Sequence, residues 1–238
     1  MEIRLNKYVQ ENLGISRRKF VDLVNAWKVF LDARKIESYG ELLKGWETLE
    51  IKGTKIKKKV ILSQQNSDLI LFNKPKGVVC SKSDKHNKTI YDILSPKYKN
   101  YFYIGRLDKD SRGLLLMTND SALVNKIEHP SHKVEKEYVV EIDRQFSILD
   151  TKKMKEWILD DWDLLKINKI KFFEEKNKFF VNVILLEGKK RHIRRVLNYF
   201  KYKVLDLQRV REWEYKLNNL REGELINVSL NKGNKSRI

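Results

Sequence analysis

Arg106, Asp108 and Asp110 fall within five residues of the stretch GRLDKDSRGLLLMTND, positions 105–120. Two carboxylates beside a guanidinium suit acid–base or nucleophilic chemistry, a cation loop, or a plain polar turn. The cation loop fails on spacing. Counted from Asp108, a calcium loop needs an oxygen ligand at its fifth place and a bidentate Glu at its twelfth. Arg112 and Asn119 stand there instead, and a cation in the ligand ring is prohibitive. Zinc is no better served. His86, His129, His132 and His192 have no Cys at finger spacing, and Cys80 is the single cysteine. A turn explains Asp110, Ser111 and Gly113 well. It explains less well why Arg106 and Asp108 sit two apart, where an extended chain projects both from one face.

Two further clusters carry charge or an aromatic ring in suggestive places. In EGKKRHIRR, positions 187–195, Gly188 breaks a strand and a helix begins among Lys189, Lys190, Arg191, Arg194 and Arg195. Cations are the wrong sign for a helix N-terminus. Phosphates or a carboxylate partner would suit them, and a solvated basic face is the plainer alternative. In HPSHKVEKEYVVEI, positions 129–142, Tyr138 starts an alternating run, a place where tyrosine ordinarily packs in a core or at an edge. Cys80, in the apolar run GVVCS, reads as a small buried hydrophobe.

The elements that must hold these residues follow from periodicity. Leu5, Val9 and Leu13 recur at helical spacing, and Gly14 can end that helix. Ser16 can cap a second helix with Phe20, Leu23, Val24 and Trp27 on its apolar face. Arg17, Arg18 and Lys19 crowd its first turn, where a docked phosphate would relieve the charge conflict. Short strands follow near 29–31 and 48–51. Residues 1–60 thus form a small module, and 61–67 a polar linker. Beyond it, apolar or alternating runs at 69–72, 78–80, 101–104, 114–117, 138–142 and 179–187 predict strands. A helix with Ile193, Val196, Leu197 and Phe200 on one face comes next. Strands near 202–207 and 224–230 complete the pattern. It is an α+β pattern with a large mixed or antiparallel sheet in a second domain, 68–230, and a basic tail, 231–238, expected to be disordered.

A formal net charge of +18 over 238 residues favours a polyanionic partner, because Lys and Arg release counterions from phosphates. An anionic membrane surface would also answer the charge. No apolar run reaches spanning length, the first ten residues lack a signal core, and one cysteine permits no internal disulfide. A cytoplasmic chain without a membrane partner is the expectation.

The motifs, taken together, resemble those of a known family. GRLDKDSRGLLLMTND resembles the catalytic motif of the RNA pseudouridine synthases of the RsuA/RluA superfamily. NKPKGVVCS (73–81), HPSHKVEKEYVV (129–140) and EGKKRHIRRV (187–196) match its other motifs in order. RLNKYV, SRRKFVDLV and KVFLD are similar to the RNA-binding domain of ribosomal protein S-four, which opens the RsuA-like branch. His192 stands where Gln is usual, Trp27 where Gly is usual, and Asp32–Ala33 replaces an Asn-Gly-like turn.

The resemblance implies isomerisation of a uridine to pseudouridine in ribosomal RNA: small-subunit RNA first, large-subunit RNA second. A non-catalytic assembly factor on the same scaffold is the alternative from another class. The resemblance makes Asp108 the essential carboxylate, Tyr138 the ring that packs on uracil, and Arg194 the partner that pairs with Asp108 and keeps it ionised. Arg106 fills the gap left by a flipped base, and Asp110 falls to a turn or structural role. Arg17, Arg18, Lys19, Lys189, Lys190, Arg191 and Arg195 are expected to hold RNA, Arg195 pointing to phosphates or solvent. No metal or cofactor is expected, and the chain is expected to act as a monomer on ribosomal RNA or an assembly intermediate.

One outcome follows from the sequence alone. Replacing Arg17, Arg18 and Lys19 together by Ala weakens RNA binding. It also flattens the salt dependence by roughly one unit of log–log slope for each phosphate the protein no longer holds. A binding titration at several salt concentrations checks it; an unchanged slope contradicts it.

Overall fold

The computed structural model describes residues 2–60 and 67–228. Most of the expected linker and the whole of the expected tail lie outside them. The chain divides into two compact units, Met1–Ser67 with Asn119–Ser121, and Asp68–Thr118 with Ala122–Ile238.

In the first unit, helices α1 (Leu5–Leu13) and α2 (Arg17–Asn25) form where the apolar spacing puts them, but α2 ends before Trp27, which turns into the left-handed region and lies half exposed instead of on the apolar face. Gly14 ends α1 in the left-handed region, φ 64°, and the Ser16 hydroxyl accepts from the Lys19 amide at 3.3 Å to cap α2. A four-stranded antiparallel sheet follows, made of β1 (Val29–Leu31), β2 (Arg34–Lys35), β3 (Thr48–Ile51) and β4 (Ile56–Lys59), in the order β2-β1-β3-β4. Leu5, Val9, Phe20, Val24, Val29, Leu49 and Ile51 share its core. The β1–β2 hairpin closes without an Asn-Gly pair. Asp32 and Ala33 take φ 48° and 65°, and the Asp32 carboxylate accepts from the Thr48 amide at 2.7 Å.

The second unit is built on a nine-stranded sheet. Its strands are β5 (Leu69–Lys74), β6 (Phe102–Ile104), β7 (Arg112–Thr118), β8 (Lys136–Ile142), β11 (Lys169–Glu175), β12 (Lys178–Leu185), β13 (Val204–Glu212), β14 (Tyr215–Lys216) and β15 (Leu225–Val228). The order is β11-β12-β8-β13-β7-β5-β15, with β6 beside β7 and β14 beside β13. All pairings are antiparallel except β13 with β7, so the sheet is mixed. Helices are few: α3 (Ile90–Ile93), α4 (Ser121–Glu128), α5 (Ile148–Met154) and α6 (His192–Tyr199). The face of α6 that carries His192, Ile193, Val196 and Leu197 is buried. Its three apolar residues join Leu107, Tyr138, Val140 and Val183 in one core cluster.

Two readings in this unit need correction. The run at 78–80 is not a strand; Val79 makes only an isolated bridge to Thr89, because the turn at Gly77 (φ 83°) leads the chain off the sheet. A small hairpin, β9 (Ile158–Asp160) with β10 (Asp163–Leu165), has no counterpart in the strands expected from sequence. Its two-residue turn puts both Asp161 (φ 46°) and Trp162 (φ 64°) in the left-handed region. That turn favours Asp-Gly or Asn-Gly, and Trp162, 95% exposed, gains no packing to offset the strain.

Trp162→Gly is therefore expected to stabilise the protein by about 1 kcal/mol. A thermal melt of the full chain checks it; an unchanged or lower midpoint contradicts it.

Candidate active site

Asp108 lies in the loop between β6 and β7, and three local devices fix that loop. Gly105 (φ 66°) turns the chain out of β6. The Ser111 amide donates to the Asp108 carbonyl at 3.1 Å, and the Gly77 amide donates to the Lys109 carbonyl at 2.8 Å. Beneath the loop lies Lys74, the last residue of β5, wholly buried. Its ammonium donates to the carbonyls of Pro75 (3.0 Å), Asp108 (3.2 Å) and Ser111 (2.8 Å). An ammonium has three donors and no acceptor, so the three carbonyls satisfy it. Burial pulls the Lys74 pKa down, while Cys80, Asp108 and Asp110 pull the other way without cancelling it.

The loop re-enters the sheet at Gly113, φ 110°. A Cβ there would lie 2.3 Å from the Arg209 carbonyl oxygen, so only glycine lets β7 run beside β13. Tyr138, on β8, is 7% exposed and sits in the core cluster that contains Leu107. Burial pushes its phenol pKa up and keeps it neutral; the Arg209 charge lowers it and the Glu212 and Asp108 charges raise it. Leu107, the residue before Asp108, is thus packed in the same core cluster as Tyr138.

Arg194 does not pair with Asp108 as expected. Its Nε lies 3.3 Å from the Asp110 Oδ2, and its Nη2 donates to the Asp110 carbonyl at 2.9 Å. Arg191, at the N-cap of α6 with φ 54°, grips the same carboxylate through both oxygens, at 3.2 and 3.1 Å. Asp110 lies closer to the start of α6 and takes both guanidiniums. Partial burial would raise its pKa, but Arg191 and Arg194 outweigh this and hold it below the usual carboxylate range. Burial lowers the Arg194 pKa; the Asp110 charge opposes this, and the Asp108 charge does so less strongly. Asp110 therefore ties the loop to the start of α6.

Arg195 also departs from expectation. It bonds Asp160 and Asp163 of the β9–β10 hairpin, with Nε 2.5 Å from the Asp160 carboxylate and Nη1 2.6 Å from that of Asp163. Lys189 joins them by donating to the Leu164 carbonyl at 2.8 Å. Arg195 and Lys189 thus brace the hairpin. Arg106 and Lys190 are exposed, as are Arg17, Arg18 and Lys19 on α2. A groove of about 480 Å³ runs along α6, lined by Arg191, Arg194, Arg195, Asn198, Lys201 and Lys203. His192 is buried and bonded to the Lys166 carbonyl at 3.0 Å; burial lowers its pKa. Among the described residues no three His, Cys, Asp or Glu side chains gather where they could hold a metal ion.

Sequence reasoning missed Lys74, Arg209 and Glu212, all buried at this site. Lys74 carries no readable signal. Arg209 does: it shares a face of β13 with Leu207, the inward face of an alternating strand.

The model of the RNA pseudouridylate synthase family matches residues 68–199. The dual-specificity RNA pseudouridine synthase RluF of Escherichia coli K12 is 32% identical over 224 residues, covering 93% of this chain and 74% of that protein. An uncharacterized RNA pseudouridine synthase of Aquifex aeolicus is 30% identical over 226 residues, covering 93% and 91%. Ribosomal large subunit pseudouridine synthase B of Buchnera aphidicola is 39% identical over 147 residues, covering 60% and 59%. A crystal structure of a pseudouridylate synthase has the same fold, with a TM-score of 0.63 at 24% identity over 95% of this chain and 96% of that one.

The Asp110 cluster makes a pH-dependent contribution of known sign. A carboxyl whose folded pKa is depressed stabilises the protein above its unfolded pKa and stops doing so as pH falls through the folded value. The stability difference between wild type and Asp110→Asn is expected to be constant from neutral pH to roughly pH 5 and to shrink below about pH 4. Urea melts across that range check it; a difference that grows on acidification contradicts it.

Proposed function

Because the chain belongs to the RsuA-like RNA pseudouridine synthases, we propose that Asp108, Tyr138 and Arg194 carry its uridine isomerisation and that the substrate is ribosomal RNA. The reaction breaks the bond from ribose C1′ to uracil N1, rotates the base and joins C1′ to C5. The C5 proton leaves and N1 gains one, so nothing is oxidised or reduced. The observation that carries the assignment is convergence. A loop held by Lys74 brings Asp108 to the core cluster of Tyr138, and α6 turns Arg194 toward the same loop.

Each group has a task that suits its surroundings. The target base must leave its stack to be reached, and exposed Arg106 is placed to occupy the gap. Asp108 makes no ion pair among the described residues, which leaves its carboxylate for the ribose or its protons. Arg194 is held beside it by Asp110, close enough for the two charges to act on one another. Tyr138, kept as a neutral phenol, offers an apolar ring to the uracil and one hydroxyl. The groove along α6, with Lys190 nearby, suits the flanking phosphates. Arg17, Arg18 and Lys19 serve the same polyanion from the small unit, as phosphate contacts rather than base readers.

Ribosomal RNA is the substrate class that the relatives' names favour. The Buchnera relative is named for the large subunit, which gives weight to large-subunit RNA over the small-subunit RNA expected from sequence. The chain acts as a monomer in the cytoplasm, on free ribosomal RNA or an assembly intermediate, and needs no cofactor. No helix among the described residues is long and apolar enough to cross a membrane.

Mapping pseudouridines in both ribosomal RNAs from cells with and without the gene identifies the substrate; a map that does not change contradicts the reading. Asp108→Asn, which keeps shape and removes charge, is expected to abolish isomerisation while RNA affinity survives. Appreciable turnover by this variant would refute the role of Asp108, and loss of RNA binding would show that the residue serves the interface instead.

A further inference from the structure

The four-stranded sheet of the first unit turns one face to its core and the other to solvent. In β1, Val29 and Leu31 are buried in the core and Phe30 between them faces out, half-buried. Residues directly opposite in an antiparallel pair share a face. Phe30 is opposite Lys35 of β2 and Glu50 of β3, and Glu50 is opposite Lys57 of β4. Lys59 lies two residues further along β4, on the same face. Cations lie over rings at this face. Lys52 Nζ is 4.4 Å from the centre of the Phe30 ring, and Lys35 Nζ is 3.5 Å from that of Trp27. Glu50 is engaged by Lys57 at 3.0 Å. Trp27 still leaves 52% of its surface in solvent.

Trp27 holds φ 58°, a conformation that glycine adopts without strain. A large ring is carried there at a cost to the fold, and strain of this kind gathers at functional positions. Packing does not account for the ring, because Trp27 stands outside the core cluster of the unit. The lysines attract phosphates. The rings offer π-faces on which an unpaired base of any kind can stack. A duplex keeps its base faces stacked on one another and could answer the lysines alone. We propose that Trp27 and Phe30, with Lys35, Lys52 and Lys59, form a platform that binds an unpaired stretch of RNA by stacking. The rings add a mode of binding that the cations Arg17, Arg18 and Lys19 cannot supply. The proposal rests on the reading of RNA as the substrate.

Filter binding of the full chain at several salt concentrations tests it. The probes are a single strand of about twelve cytidines, an RNA duplex of the same length, and ribosomal RNA transcripts. The cytidine strand holds no uridine, so it offers the isomerisation pocket no target. Trp27→Gly combined with Phe30→Thr is expected to weaken binding of the single strand by about tenfold or more. The same variant is expected to bind the duplex within about twofold of wild type and to keep the wild-type salt slope, because it removes no cation. Lys35→Gln combined with Lys52→Gln is expected to flatten the slope on the single strand, by about 0.7 for each phosphate released. Thermal melts establish that each variant is folded. If the aromatic double variant does not fold, Trp27→Gly alone, which relieves strain, is read in the same way. Single-strand affinity equal to wild type in the aromatic variant overturns the proposal, and so does an equal loss on strand and duplex. Wild-type protein that binds the ribosomal transcripts while the aromatic variant matches it on every probe overturns the platform alone. Wild-type protein that binds none of the three RNAs refutes the RNA reading itself.

Discussion

The site depends on one buried ammonium. Lys74 is wholly buried at the end of β5, and its three donors meet three carbonyls, two of them in the Asp108 loop. Taking an ammonium out of water costs several kcal/mol, and only full hydrogen bonding can offset that. The cost makes the arrangement selective, since any other path for residues 108–111 would strand the charge. The sheet thereby dictates where a polar, glycine-flanked loop must lie. Gly105 and Gly113 let that loop leave and rejoin the strands, at φ values few other residues adopt.

Counter-charges then decide what the arginines of α6 do. A helix that opens on cations needs an anion near its N-terminus, and Asp110 supplies it to Arg191 and Arg194. Asp160 and Asp163 take Arg195. The basic cluster at the start of α6 is thus divided. Part of it orders the Asp108 loop, part braces a hairpin, and the remaining lysine, Lys190, faces outward.

Legibility from sequence follows the range of the interaction. Helices α1, α2 and α6 are readable because apolar spacing and caps are local. The central strands are readable because they are apolar runs bounded by polar turns. Asp108 and Tyr138 are singled out in sequence by motif order alone. The partner of Arg194 is not, because 84 positions separate it from Asp110 and only tertiary packing chooses between two carboxylates two residues apart. Lys74 is invisible because no pattern distinguishes a buried lysine with three carbonyls from a solvated one. Arg209 leaves a trace in the alternation of β13, easily overlooked because arginine on an inward face runs against expectation. The turn at Gly77 carries the 78–80 run off the sheet despite its β-branched composition.

Lys74 orders the loop that carries Asp108. That ordering is tested most directly by amide hydrogen exchange in Lys74→Met, a change that keeps the length of the side chain and removes its donors. The Ser111 and Gly77 amides bond to loop carbonyls, whereas residues 114–118 belong to the sheet. Ser111 and Gly77 are expected to lose protection while 114–118 keep theirs. Protection unchanged at Ser111 and Gly77, or lost evenly along β7, would contradict it.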